Sequence, residues 1–193
     1  MSTSGMSTTG QTQLRARVSA AILEAAAGAL AERGDQASMA DVAAAAGVAR
    51  ATVYRYFPSR EALLEALGRL AVEEAGDRLR DARLEEVSVA EAFQRAIRAL
   101  VAVGDYFVVL SRESVRPDGA EFERRVASPV RGLIERGQSS GEVRDDLPAS
   151  WLMESLVGIV VSVLRTQPSL GVEDTVAGIT SLFLDGARTD PDR

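Results

Sequence analysis

Between residues 42 and 60 the chain carries Arg50, Arg55 and Arg60 and no carboxylate, with Thr52, Tyr54 and Tyr56 set among them. A guanidinium fork pairs with phosphate or with the edge of guanine, and hydroxyl groups add single hydrogen bonds to either. Placed on a helix at 100° per residue, Ala51, Tyr54 and Arg55 point one way, flanked by Arg50 and Thr52. Ala49 and Val53 point the other way, with Val48 and Phe57 available to pack beside them. Small residues near the helix start allow close approach, and Thr52 can meet a base edge or a thymine methyl. That pattern suits a helix lying in the DNA major groove, which is about 12 Å wide and accepts a single helix.

The elements needed to position such a helix are legible on both sides of it. Ser38 and Asp41 form a helix start, the first by capping early amides and the second by its charge. Gly47 ends that helix after about two turns. A second helix spans Ala49 to Tyr56 and stops at Phe57-Pro58. Helix, tight turn and helix make a helix-turn-helix over residues 38 to 57. Upstream, Val18, Ile22, Ala26 and Leu30 repeat every four residues and predict one buried stripe ending near Gly34. Downstream, Ser59 caps a long helix through Leu63, Leu64, Leu67 and Leu70 towards Arg80.

Helix signals continue to the end of the chain. Ser88 to Glu91 has the form of a capping box, Gly104 separates that helix from Asp105 to Glu113, and Pro117-Asp118-Gly119 is a turn. Helix returns over Ala120 to Arg136, and Gly137 to Gly141 reads as a loop. Two final helices cover Ala149 to Thr166 and Val172 to Ala187, with Pro168 between them. No β-branched runs bounded by hairpin turns occur, so the expected fold class is all-α. Residues 1–13, polar and uncharged, are expected to be a disordered tail. Residues 14–72 are expected to form the DNA-binding domain and 73–193 a helical body.

Composition removes most enzyme classes. The 193 residues include no cysteine and no histidine, so thiolate chemistry, zinc held by thiolates and histidine general bases are absent. Glu73, Glu74, Asp77 and Asp81 could be imagined as a metal or acid–base group. With Arg78 and Arg80 among them, they read as a solvated charged face. No catalytic residue, metal or cofactor is expected. The formal net charge of −6 is unevenly spread: residues 1–60 hold six arginines and four acids (+2), residues 61–193 sixteen and twenty-four (−8). The longest apolar block, Val157 to Leu164, is too short to span a bilayer, and the N-terminus lacks a signal-peptide pattern. A cytoplasmic protein without membrane contact is expected.

The segment Ala37 to Leu64, ASMADVAAAAGVARATVYRYFPSREALL, resembles the TetR family DNA-binding domain, with Gly47, Tyr54, Phe57, Ser59, Arg60 and Leu63 in register. The likeness extends over roughly residues 14 to 64. It implies a dimer of all-α subunits, mostly repressors that a small molecule releases from operator DNA. Position by position, it places Arg50, Ala51 and Thr52 at bases with Arg55 beside them, and Ser38, Tyr54, Tyr56 and Arg60 at phosphates. Position 56 departs from the family's frequent histidine and position 60 from its frequent lysine. Arg15 and Arg17 could reach DNA as an arm or belong to a solvated first turn.

The last two helices are apolar nearly all round and must be buried on more than one side. A dimer interface is expected there, through Leu152, Leu156, Ile159, Val160, Val163, Val176, Ile179 and Phe183. It would present two recognition helices to a pseudo-palindromic double-stranded operator. Phe93, Tyr106, Phe107, Phe122 and Met153 lie on helices that enclose the family's pocket and are candidates for a largely apolar effector. Two alternatives stay open: an activator of the same build, and a ligand- or protein-binding helical module with weak DNA binding.

Overall fold

A computed structural model describes residues 6–166 and 170–187. Among the described residues ten α-helical segments follow one another and no strand occurs. The N-terminal end is built from α1 (Met6–Arg33), α2 (Met39–Ala45), α3 (Arg50–Tyr56) and the first half of α4 (Arg60–Asp81). The body comprises the rest of α4, α5 (Val89–Val101), α6 (Gly104–Arg112), α7 (Gly119–Phe122), α8 (Ser128–Ser139), α9 (Ala149–Arg165) and α10 (Val172–Ala187).

Three boundaries differ from the sequence expectation. First, α1 begins at Met6, so residues 6–13 are helical rather than a disordered tail. Extending a helix costs far less than nucleating one, and polar residues with ordinary propensity can join a long helix already formed. Second, α7 and α8 are joined by a π turn, Glu123–Ala127, that no residue pattern announces. Third, α8 runs on to Ser139, so Gly137 lies buried inside a helix and not in a loop. Pro168, the expected break between the last two helices, lies outside the described residues.

Caps set the starts of the short helices. The Ser38 hydroxyl accepts from the Asp41 amide, and the Asp41 carboxylate accepts from the Ser38 amide at 2.8 Å, a complete capping box. Ser59 accepts from the Ala62 amide at 3.2 Å and opens α4. At α5 only half of the expected box forms. Ser88 caps the Glu91 amide, but the Glu91 carboxylate turns to Arg95 at 2.7 Å.

Buried apolar side chains fall into two clusters. One gathers Ile22, Leu30, Val42, Val53, Phe57, Leu63 and Leu67 with Val109 of α6. The other starts at Val72 and holds the interior of α5, α8, α9 and α10. The change of cluster falls within one continuous helix, α4, between Leu67 and Val72. Tyr106 of α6 packs against both clusters. At about 1.5–3 kcal/mol for each fully buried Val or Leu, this packing and the caps hold helices too short to persist alone. Replacing Ser59 by Ala removes the cap of α4. It should lower unfolding free energy by about 1 kcal/mol, measured by chemical denaturation against the wild type.

Candidate functional site

Exposed cationic and hydroxyl side chains are concentrated on α3. Of its seven residues only Val53 is fully buried, at 0% exposure. Its burial in the first cluster, beside Phe57, turns the opposite face outwards. Arg50, Ala51, Tyr54 and Arg55 are exposed, and Thr52 and Tyr56 are half-buried. Ala49, expected to point inwards, is instead the exposed N-cap residue, because the turn ends there and its backbone is extended.

The exposed face is organised by aromatic and cationic pairs. Arg50 donates to the Tyr54 hydroxyl at 3.3 Å and lies over its ring, 5.4 Å from the centroid. That hydrogen bond raises the pKa of the Arg50 guanidinium above its ordinary value. Tyr56 is flanked by two guanidiniums, Arg55 of its own helix at 5.5 Å and Arg15 of α1 at 5.7 Å. Arg15 therefore joins the face. Sequence spacing leaves it undecided because Arg15 and Tyr56 are 41 positions apart in the chain.

Two of the residues matched to phosphates are engaged within the protein. Ser38 donates its hydroxyl proton to Asp41 Oδ2 at 2.6 Å while accepting from the Asp41 amide. Asp41, its pKa lowered chiefly by the Ser38 hydroxyl, is also paired with Arg33. Arg60 donates to both carboxylate oxygens of Glu113, at 2.5 and 3.4 Å, and to the Ala37 carbonyl.

Gly47 makes the turn between α2 and α3 with φ of +64°, a left-handed conformation, and its amide donates to Ala44. Nothing lies within 4 Å of where a Cβ would stand, so the requirement for glycine is conformational and not steric.

The body holds a small apolar cavity of about 10 Å³ lined by Leu100, Gly104, Phe107, Phe122, Val126 and residues of α9. Phe107 and Phe122 meet there edge to face at 6.3 Å. The other three pocket candidates are placed elsewhere. Phe93 is fully buried against Phe183, with ring centroids 5.4 Å apart, and Met153 is part of the packed core. Tyr106 sits at the junction of α1, α4 and α6. Burial, then the charges of Glu74 and Glu24, push its pKa up, so the phenol stays protonated. Gly104 lies close to α9, since a Cβ there would meet the end of the Leu164 side chain.

A larger open cleft of about 1030 Å³ lies between the end of α4 and α8. Arg80, Arg124 and Arg125 on its rim are each paired with Asp77 or Glu121, so its cations are largely neutralised. Of the candidate carboxylates Glu73, Glu74, Asp77 and Asp81 on α4, Asp77 is paired with Arg80 and Arg125, and Glu74 lies 3.9 Å from Arg78.

Six of the eight interface candidates lie inside the subunit. Leu152, Leu156, Val160, Val176, Ile179 and Phe183 are at most 4% exposed within the single chain, because they complete the body's own core. Ile159 and Val163 remain partly exposed. The outward faces of α9 and α10 carry Trp151 and Leu182, 54% and 63% exposed, with Gly158, Ser162, Ala177, Gly178 and Ser181.

Among the described residues no helix is long and apolar enough to cross a membrane. Residues 22–67 match the family of bacterial regulatory proteins, tetR family. The HTH-type transcriptional repressor LfrR of Mycolicibacterium smegmatis is 38% identical over 137 residues, 71% of this chain and 72% of its own. The fatty acid metabolism regulator protein of Bacillus subtilis is 22% identical over 156 residues, 75% of this chain and 80% of its own. The crystal structure of the TetR-like regulator LfrR from Mycobacterium smegmatis in complex with proflavine has the same fold. It superposes with a TM-score of 0.73 at 24% identity, covering 91% of this chain and 99% of that one.

Gly47→Ala should lower stability by about 1–2 kcal/mol through backbone strain alone, read by denaturation. Gly47→Asn should cost less, since Asn tolerates the left-handed region.

Proposed function

The chain belongs to the tetR family of bacterial regulatory proteins and is a DNA-binding regulator of transcription, and we propose that it acts as a homodimeric repressor released from its operator by a small apolar molecule. The observation that carries the reading is the outward face of α3: exposed, cationic, free of acid and backed by a fully buried Val53. In this reading Arg50, Ala51 and Thr52 meet base edges with Arg55 beside them, and Tyr54 and Tyr56 meet phosphates. Arg15, stacked on Tyr56, adds a cation to the same edge. The identity to a named repressor supports repression as the direction of control. The protein works in the cytoplasm, where the DNA is.

Dimerisation uses the outward faces of α9 and α10. Small residues at Gly158, Ser162, Gly178 and Ser181 let helices of two copies approach closely, and Leu182 and Ile159 supply apolar area. A two-fold interface of this kind presents two recognition helices to half-sites about one DNA turn apart, roughly 34–36 Å. The effector enters at Phe107 and Phe122. Drug-sized pockets measure about 300–1,000 Å³, so a ligand must part the walls of a cavity that now has room for about one water. The close pair Gly104 and Leu164 is where α6 and α9 would separate.

Operator affinity, measured by fluorescence anisotropy, should fall with salt by about 0.9 log units per tenfold change for each phosphate contacted. Arg50→Ala and Thr52→Ala should each remove about 1–3 kcal/mol of discrimination at one base position. Unchanged sequence preference in both variants would remove the base-reading assignment. Leu182→Glu should convert the dimer to monomer in analytical ultracentrifugation, with helix content retained; a dimer that persists would place the interface elsewhere.

A further inference from the structure

Arg60 is paired with a carboxylate of the body. In the protein its guanidinium is held by Glu113, the residue that ends α6, with side chains 26% and 16% exposed respectively. Both Glu113 oxygens accept from it, at 2.5 and 3.4 Å, and the Ala37 carbonyl, just before α2, takes a third hydrogen bond. The pair joins the start of α4 to the end of α6 across 53 residues.

Glu113 itself is held firmly. The Glu113 amide donates to the Val109 carbonyl at 3.0 Å. Ser114 turns into the left-handed region, with φ of +55°, and the Val115 amide closes the helix onto the Leu110 carbonyl at 2.9 Å. The adjacent Arg112 donates to the Ala31 carbonyl of α1 at 2.8 Å and to the Arg165 carbonyl of α9 at 3.2 Å. The carboxylate is thus presented from a point tied to both the DNA-binding end and the body.

We propose that Glu113 competes with DNA phosphate for Arg60, so that part of the operator affinity is withheld by a carboxylate of the body. The inference rests on the phosphate reading of Arg60. A guanidinium forked onto a carboxylate has its best donors occupied, and a phosphate can take them only as the carboxylate gives them up. A half-buried pair resists that exchange more than a solvated one, because its charges are less screened. Anything that displaces the end of α6 then changes how readily Arg60 reaches DNA.

The test is a double-mutant cycle on the full chain with Arg60→Ala and Glu113→Gln, alone and together. The probe is a duplex selected from random sequence by the wild type. Circular dichroism checks folding, and Arg60→Gln replaces Arg60→Ala if the latter does not fold. Glu113→Gln should tighten binding about 3- to 10-fold while Arg60 is present, and by less than about 2-fold when it is absent. Arg60→Ala should weaken binding and make the salt slope shallower by about 0.9. Equal tightening in both backgrounds would show that Glu113 acts only as a distant negative charge, and would overturn the proposal. Weaker binding by Glu113→Gln would also overturn it, since the carboxylate would then be aiming Arg60 at DNA. An Arg60→Ala variant with unchanged affinity and slope removes the phosphate contact itself, and the proposal with it. In that last case operator binding by the wild type still stands on α3.

Discussion

The burial of Val53 constrains the rest of the DNA-binding end. A helix of seven residues has too few internal hydrogen bonds to persist in water, and α3 has Val53 as its one fully buried side chain, with Phe57 behind it and Tyr56 packed partly against the same cluster. At 100° per residue, whatever fixes Val53 also fixes the direction of Arg50, Ala51, Tyr54 and Arg55. The neighbouring helices serve that single anchorage. Ile22 and Leu30 of α1, Val42 of α2 and Leu63 and Leu67 of α4 close over it, and the capping box at Ser38 and the left-handed Gly47 set the entry angle.

Helix α6 is the joint between the two ends of the molecule. It has nine residues, about 13 Å of length, yet it touches nearly every part that matters. Its first residue, Gly104, lies against Leu164 of α9 and borders the apolar cavity. Its middle sends Val109 into the DNA-binding cluster and Tyr106 into both clusters. Its end carries the hydrogen bonds to Ala31, Arg60 and Arg165. Packed interiors switch between discrete arrangements more readily than they deform continuously. A short element with anchors at both ends is therefore well placed to move as one piece.

Charge follows the same division. The acid-free stretch on α3 projects from a body with a large excess of carboxylates, many of them paired with arginines at the surface. Such an arrangement favours approach of a polyanion by one end only, since field direction matters more than net charge. Most of the body's ion pairs are solvated and contribute little to stability. Arg60 and Glu113 differ in that both side chains are shielded.

Periodicity and punctuation made the helices legible from residues alone. The four-residue repeat through Ile22 and Leu30, the caps at Ser38, Ser59 and Ser88, and the stop at Phe57-Pro58 are local signals, each determined by neighbours within one or two turns. The outward face of α3 is legible for the same reason, because helical geometry alone separates Val53 from Tyr54 and Arg55. What only the tertiary structure decided is which apolar surface meets which partner. Leu156 and Phe183 look no different in sequence from residues that would face a second copy, yet they fill the subunit's own core. Phe93 and Met153 are equally apolar but lie away from the cavity that Phe107 and Phe122 share. The pairing of Arg60 with Glu113 and the stacking of Arg15 on Tyr56 depend on contacts between segments far apart in the chain. Hydrophobic burial is non-directional, so a sequence states that a side chain will be buried and leaves the choice of neighbour to the packing of the whole.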